Sequence, residues 1–239
     1  MAWLLPLLAV TWGEAGGATD ASQLIHLSLE ELMDVEVFSA AKKEQKLFET
    51  AAAVSVITRE QIRRSGLTTF PEIMRLVPGL QVARVDANKW ALSARGFNGR
   101  FANKLQVLID GRSLYTPLFA GVFWREQDLV LEDVERIEVI RGPGATLWGA
   151  NAVNGIINII TRETRDTQGM LTSVGAGLEE RGSGSARLGG RWGERGHYRI
   201  YAKYFDRDDF VDAAGRRMVD GGRVEPASGA TGRRMEVVR

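Results

Sequence analysis

The sequence predicts an α+β chain: a small mixed-sheet domain with short helices, followed by the start of a long-stranded antiparallel sheet. Three observations carry that prediction. Between Ala51 and Thr161 short apolar strands alternate with short capped helices. After Gly169 the pattern changes to segments near ten residues long, in which apolar residues alternate with small or charged ones. Glycine accounts for 27 of 239 residues, about 11% against a usual value of roughly 7%, and the stretch Gly142 to Gly196, which spans the change of pattern, is rich in it.

The chain opens on Met1 to Val10, MAWLLPLLAV. That apolar run is too short to span a bilayer and fits the core of a secretory leader over residues 1–18, although no Lys or Arg precedes it. Gly13, Ala15, Gly16 and Ala18 offer small residues for cleavage. Val54 to Ile57 then reads as a buried strand. Thr58 stands three before Gln61, a capping-box spacing, and Gly66 ends the helix. The same grammar returns with Thr69 three before Glu72, Pro71 in the first turn and Pro78-Gly79 as the stop. Ile62, Ile73, Leu76 and Val77 are expected to face one sheet. Leu80 to Val85 alternates as a half-exposed strand, and Leu105 to Ile109 is a strand closed by the turn pair Asp110-Gly111. Val134 to Arg141 mixes charge with apolar residues on both faces, which suits a strand with partly polar surroundings. Ile156 to Thr161 is the last buried strand of this domain.

Three alternating segments follow: Met170 to Leu178, Ala186 to Gly193 and Tyr198 to Phe205. A loose turn is expected over Glu179 to Gly184 and a tight one at Glu194-Arg195-Gly196. The length, the single apolar face and the aromatic ends match strands of an outer-membrane barrel. An ordinary antiparallel sheet with one wet face has the same pattern. From Asp206 onward the residues are rich in Gly, Asp and Arg without a period, so 208–239 reads as a loop-like end of an incomplete sheet, and the chain as part of a longer one.

Composition narrows the function. The net charge is +1, which argues against nucleic-acid binding through a general basic surface. There is no cysteine, and His26 and His197 are the only histidines, so thiolate chemistry is excluded and histidine-based catalysis or zinc binding has little to work with. Gly144 to Gly149 has the gap of a phosphate loop, but Ala150 and Asn151 stand where Lys and Ser or Thr would reach phosphate. No enzyme and no cofactor is expected. The aromatic-rich loops Arg95 to Phe101 and Tyr115 to Trp124 suit contact with a bulky ligand, and equally suit burial against a larger structure.

Leu92-Ser93-Ala94-Arg95-Gly96-Phe97, Val107-Leu108-Ile109-Asp110-Gly111 and VERIEVIRGPGATLWGANAVNGIINIITR (Val134 to Arg162) resemble the plug domain of TonB-dependent outer-membrane receptors. The likeness runs from about Val35 to Thr164, with barrel-like strands following in the family's order. It implies a plug over 47–165 inside a 22-stranded barrel whose first strands occupy 169–207. Strands for such a barrel need roughly 220 residues, far more than follow Gly169. It also implies a TonB box with its linker over 34–46, paired as an added strand by the periplasmic protein TonB. The candidate box is Asp34, Val35, Glu36, Val37, Phe38 and Ser39. On the same basis Asn98, Arg100, Phe101, Tyr115, Phe119, Phe123 and Trp124 are candidate ligand contacts, and Arg95, Glu138 and Arg141 a candidate plug–barrel charge network.

The function so implied is energy-coupled uptake, in the cell outer membrane, of a large scarce nutrient such as a ferric siderophore or cobalamin. The plug and TonB box would be accessible from the periplasm. The alternatives are a free-standing periplasmic plug-like binding module and a phosphate-binding enzyme using Gly142 to Gly149.

Overall fold

The computed structural model describes residues 36–37, 45–46, 52–85, 89–96, 98–99, 101, 103–118, 120–124, 127, 129–178, 180–193, 196–208, 210–211, 217–218 and 230–238. The leader-like segment 1–18 lies outside them.

Two two-residue strands, β1 (Glu36–Val37) and β2 (Gln45–Lys46), pair antiparallel ahead of the main domain. The α+β domain begins with β3 (Ala53–Thr58) and α1 (Arg59–Ser65). The expected capping box is present: the Gln61 amide N–H donates to Thr58 Oγ1 at 3.3 Å, and the Thr58 N–H donates to Gln61 Oε1 at 2.9 Å. Gly66, at φ 66°, closes the helix in the left-handed region that a side chain would resist. The second expected box is different. Thr69 precedes α2 (Phe70–Ile73), but its hydroxyl donates to Glu72 Oε2 at 2.9 Å instead of accepting a backbone N–H. One 3₁₀ turn, Met74–Leu76, extends α2, and Leu76 on it is exposed, not facing the sheet as expected.

Next come β4 (Leu80–Arg84) and β5 (Trp90–Ala94), an antiparallel pair, then β6 (Leu105–Ile109) and β7 (Arg112–Ser113) about the Asp110-Gly111 turn. The short strands β8 (Tyr115–Thr116) and β9 (Gly121–Val122) form a hairpin. β10 (Val134–Arg141), the four-residue α3 (Ala145–Trp148) and β11 (Gly155–Thr161) complete the domain. Its sheet has the order β3-β10-β11-β6-β7, with β11 parallel to β6 and the other pairs antiparallel.

The main core lies on one side of this sheet. Ile57, Val107, Ile137, Val139, Ile157 and Ile159 pack there against Ile62, Phe70, Ile73 and Met74 from the helices and Trp90 and Leu92 from β5. A smaller cluster of Leu108, Ile140, Ala152 and Ile156 covers the other side. Burial on both faces is why β11 carries isoleucine at 156, 157, 159 and 160, with buried Asn158 between them.

The second layer is a four-stranded antiparallel sheet in chain order: β12 (Gly169–Gly175), β13 (Glu180–Trp192), β14 (Gly196–Arg207) and, beyond the short pair β15 (Phe210–Val211) and β16 (Arg217–Met218), β17 (Ala230–Val238). Two expectations are corrected here. Strand β13 already starts at Glu180, where a loose turn was read, and the loop-like end contains β17, paired with β14 from Arg199↔Val238 to Arg207↔Ala230. The Gly and Ser residues of Glu180 to Ser185 carry little strand propensity, and pairing overrides it, with β14 from Glu180 onward and with β12 as well from Ser183.

The faces of this sheet are inverted relative to a water-soluble protein. Arg187, Tyr201, Phe205 and Arg207 are buried, and Arg199 is only 3% exposed, on the face turned to the α+β domain. Met170, Leu188, Trp192, Ile200 and Tyr204 are exposed on the opposite face, with Val174 at 89%.

Candidate functional site: the loop end of the domain and its seam with the strand layer

Strand register defines the two ends of the α+β domain. Leu105 pairs with Gly155, Gly155 with Arg141, and Arg141 with Ala53, so the loops 95–104 and 142–154 leave the same end. They are joined there by the Asn154 N–H donating to the Lys104 carbonyl at 2.8 Å. The β8–β9 hairpin reaches this end too, because a side chain on Gly121 would press on the backbone of Phe101 at 3.1 Å. The close approach lets Phe101 and Phe123 stack with ring centroids 6.2 Å apart.

The two aromatic loops, separate in the sequence, therefore form one surface. Phe101, Tyr115 and Phe123 are part-exposed on it, and Asn98 is exposed. Leu118, at the hairpin tip beside Pro117, is 86% exposed, an apolar residue of this surface that the aromatic pattern did not single out. Trp124 is corrected: it is a core residue, stacked on Phe70 at 5.7 Å and closed off from the surface. Arg100 and Phe119 lie outside the described residues.

In the neighbouring loop, Gly142 to Asn154, the backbone donors that would cradle a phosphate are turned inward. The N–H groups of Gly142, Gly144, Leu147, Trp148 and Gly149 all donate to backbone carbonyls of the same loop.

Of the N-terminal candidate set, Glu36 and Val37 form β1, with Glu36 opposite Lys46 and Val37 opposite Gln45. Val37 is fully buried, so this short piece is a paired strand and not an exposed linker. Asp34, Val35, Phe38 and Ser39 lie outside the described residues.

The seam with the strand layer sits at the opposite end of the sheet, around Thr161. Among the described residues the hydrogen bonds of Arg95 and Arg141 stay within the α+β domain: Arg95 Nη2 donates to the Arg141 carbonyl at 3.1 Å, and Arg141 Nη1 to the Pro78 carbonyl at 2.9 Å. Glu138, fully buried, accepts from Arg136 Nε at 2.8 Å on its own strand. Among the described residues the charge contact with the strand layer is centred elsewhere, on Asp133. Its carboxylate takes a hydrogen bond from Arg187 of β13 and lies 3.7 Å from Arg199 Nε of β14. Arg199 also donates to the Arg162 carbonyl at 3.0 Å, and Lys203 to the Leu129 carbonyl at 3.4 Å.

The sequence carried a signal for this cluster: arginines on the small-and-charged face of β13 and β14 need a buried acceptor once that face is covered. Which carboxylate answers them was not legible. Beside the cluster, a cavity of about 250 Å³ separates α1 from the strand layer, lined by Arg63, Thr68, Glu132, Ser183, Ser185 and Lys203 among others.

Comparison with known proteins agrees with this arrangement. Residues 46–156 match the model of the TonB-dependent receptor plug domain. The chain is 30% identical to the vitamin B12 transporter BtuB of Vibrio vulnificus over 157 residues, 65% of this chain and 25% of that protein. It is also 30% identical to the vitamin B12 transporter BtuB of Vibrio cholerae over 176 residues, 74% of this chain and 28% of that protein. The chain thus spans about a quarter of the length of these curated relatives. In fold it is similar to the ferripyoverdine receptor of the outer membrane of Pseudomonas aeruginosa, with a TM-score of 0.59 and 23% identity over 74% of this chain and 23% of that one. It is similar as well to the ferric yersiniabactin uptake receptor of Yersinia pestis, with a TM-score of 0.56 and 21% identity over 78% of this chain and 28% of that one.

Proposed function

Residues 46–156 are a TonB-dependent receptor plug domain, and from that premise we propose that the chain serves energy-coupled uptake of a ferric siderophore, cobalamin or a similarly large nutrient across the outer membrane. The observation that carries this reading is the inverted sheet. A layer that buries three arginines against its partner domain and leaves Met170, Val174, Leu188 and Trp192 outside is suited to a hydrocarbon solvent. Residues 169–207, joined by β17, act as the first wall strands, 47–165 as the plug that closes the lumen, and 1–18 as the leader for export.

Within this reading the ligand rests on the loop end, on Asn98, Arg100, Phe101, Tyr115, Phe119 and Phe123, with Leu118 added. The Phe101–Phe123 stack presents a pre-formed apolar surface, so little side-chain entropy is lost on binding. Asp34 to Ser39 act as the TonB box. TonB adds a strand there, through backbone hydrogen bonds that need little side-chain specificity. Arg95 and Arg141, which reach the surface of the domain, act at wall strands other than the four described, whereas Glu138, fully buried beside Arg136, has no surface to offer a wall strand and leaves that set. The free-standing periplasmic module is the weaker reading, because it would leave the exposed face of β12 to β14 in water.

The membrane assignment is tested with single-tryptophan variants of the full chain in vesicles containing brominated lipid. Trp192 fluorescence should be quenched and that of Trp90 and Trp124 should not. Equal protection of all three would overturn it.

A further inference from the structure

We infer that Asp133 is the residue that seats the plug on the wall, acting as the shared counter-ion of Arg187 and Arg199. This goes beyond the uptake reading and does not depend on the ligand. The three side chains are at most 8% exposed, and they join three segments: Asp133 at the end of the 3₁₀ turn Leu131–Asp133 that leads into β10, Arg187 on β13 and Arg199 on β14. Asp133 is rigidly placed. Its N–H donates to the Val130 carbonyl at 3.0 Å, and its carbonyl accepts from the Arg162 N–H at 2.8 Å, the residue that follows β11. One carboxylate thus ties the beginning of β10, the end of β11 and two adjacent wall strands into a single knot, where the chain crosses from plug to wall.

The charge count makes Asp133 the sensitive member. Two buried guanidinium groups share one carboxylate, and Arg199 gains its other bonds from neutral acceptors, the Arg162 carbonyl and Thr161 Oγ1. Loss of Arg187 still leaves one cation against one anion. Loss of the Asp133 charge leaves two cations buried without a counter-charge, which is far more costly than replacing the whole cluster by apolar groups. The relief open to the molecule is separation at the seam, with water entering beside the cavity already present between α1 and the wall.

The chain has no cysteine, so a single introduced thiol reports the seam cleanly. Thr167 is 1% exposed and its carbonyl lies against Gly189 of β13, which makes Thr167→Cys a probe of seating; Val107→Cys, in the plug core, is a probe of folding. Labelling by a charged maleimide is measured on the full chain in detergent micelles. Asp133→Asn should speed labelling of the Thr167→Cys probe at least about tenfold while the Val107→Cys probe stays protected. Adding Arg187→Met and Arg199→Met to Asp133→Asn should restore protection to within about threefold of the parent. Unchanged labelling at the seam in Asp133→Asn, exposure of both probes together, or no recovery on removing the arginines would each overturn the assignment.

Discussion

Gly189 of β13 lies directly against the carbonyl of Thr167, so closely that a side chain at 189 would overlap the backbone of residues 167–168. The glycine is required by a crossing: the chain that leaves the plug passes over the inner face of the wall at this point. Gly189→Val should lower the thermal stability of the chain in micelles by about 1–3 kcal/mol, as overpacking against rigid backbone does. Gly182→Ala on the same strand has open space around it and should change nothing. Equal effects of the two substitutions would show that strand propensity, not the crossing, governs.

Phe123 and Trp124 are adjacent in the chain and belong to different parts of the molecule. Trp124→Ala removes a buried ring and should cost about 3–5 kcal/mol of stability. Phe123→Ala should leave stability within about 1 kcal/mol and weaken binding of cyanocobalamin or of a ferric siderophore to the receptor. Calorimetric unfolding paired with a binding titration separates the two outcomes.

Ile73 and Leu76 were equally good core candidates by spacing, and the structure divides them. Ile73 is fully buried, whereas Leu76 is 46% exposed. Ile73→Ala should cost about 2–5 kcal/mol and Leu76→Ala no more than about 0.5 kcal/mol, read from chemical unfolding of the chain.

Val37→Pro removes a backbone N–H from β1 and should abolish energy-coupled uptake by the receptor while ligand binding is retained. Undiminished uptake would place the TonB contact outside Asp34 to Ser39.

Much of the α+β domain was legible because its signals are local. Thr58, Gln61 and Gly66 define α1 within nine residues, and Asp110-Gly111 fixes the β6–β7 turn. What escaped depends on partners far away in the chain. Trp90 to Ala94 has no β-branched residue and becomes a strand because β4 pairs with it and the core covers it. Ala230 to Val238 offers only weak alternation and is ordered by β14. The Asp133–Arg187 contact joins residues 54 apart, and nothing next to Asp133 in the sequence names its partner. The loop end was half legible: the aromatic loops were found, but only the Gly121–Phe101 approach shows which rings meet and that Trp124 turns inward.

The reversed faces of β12 to β14 have a consequence for biogenesis. On the membrane reading proposed above, the α+β domain, which carries its own apolar core, matures in an aqueous compartment, whereas the wall strands reach their lowest free energy beside acyl chains. Between export and insertion, Met170, Val174, Leu188 and Trp192 form a sticky ribbon with open hydrogen-bonding edges, the kind of surface that holdase chaperones shield. One polypeptide here requires two solvents, and a buffer that suits one half leaves the other stranded.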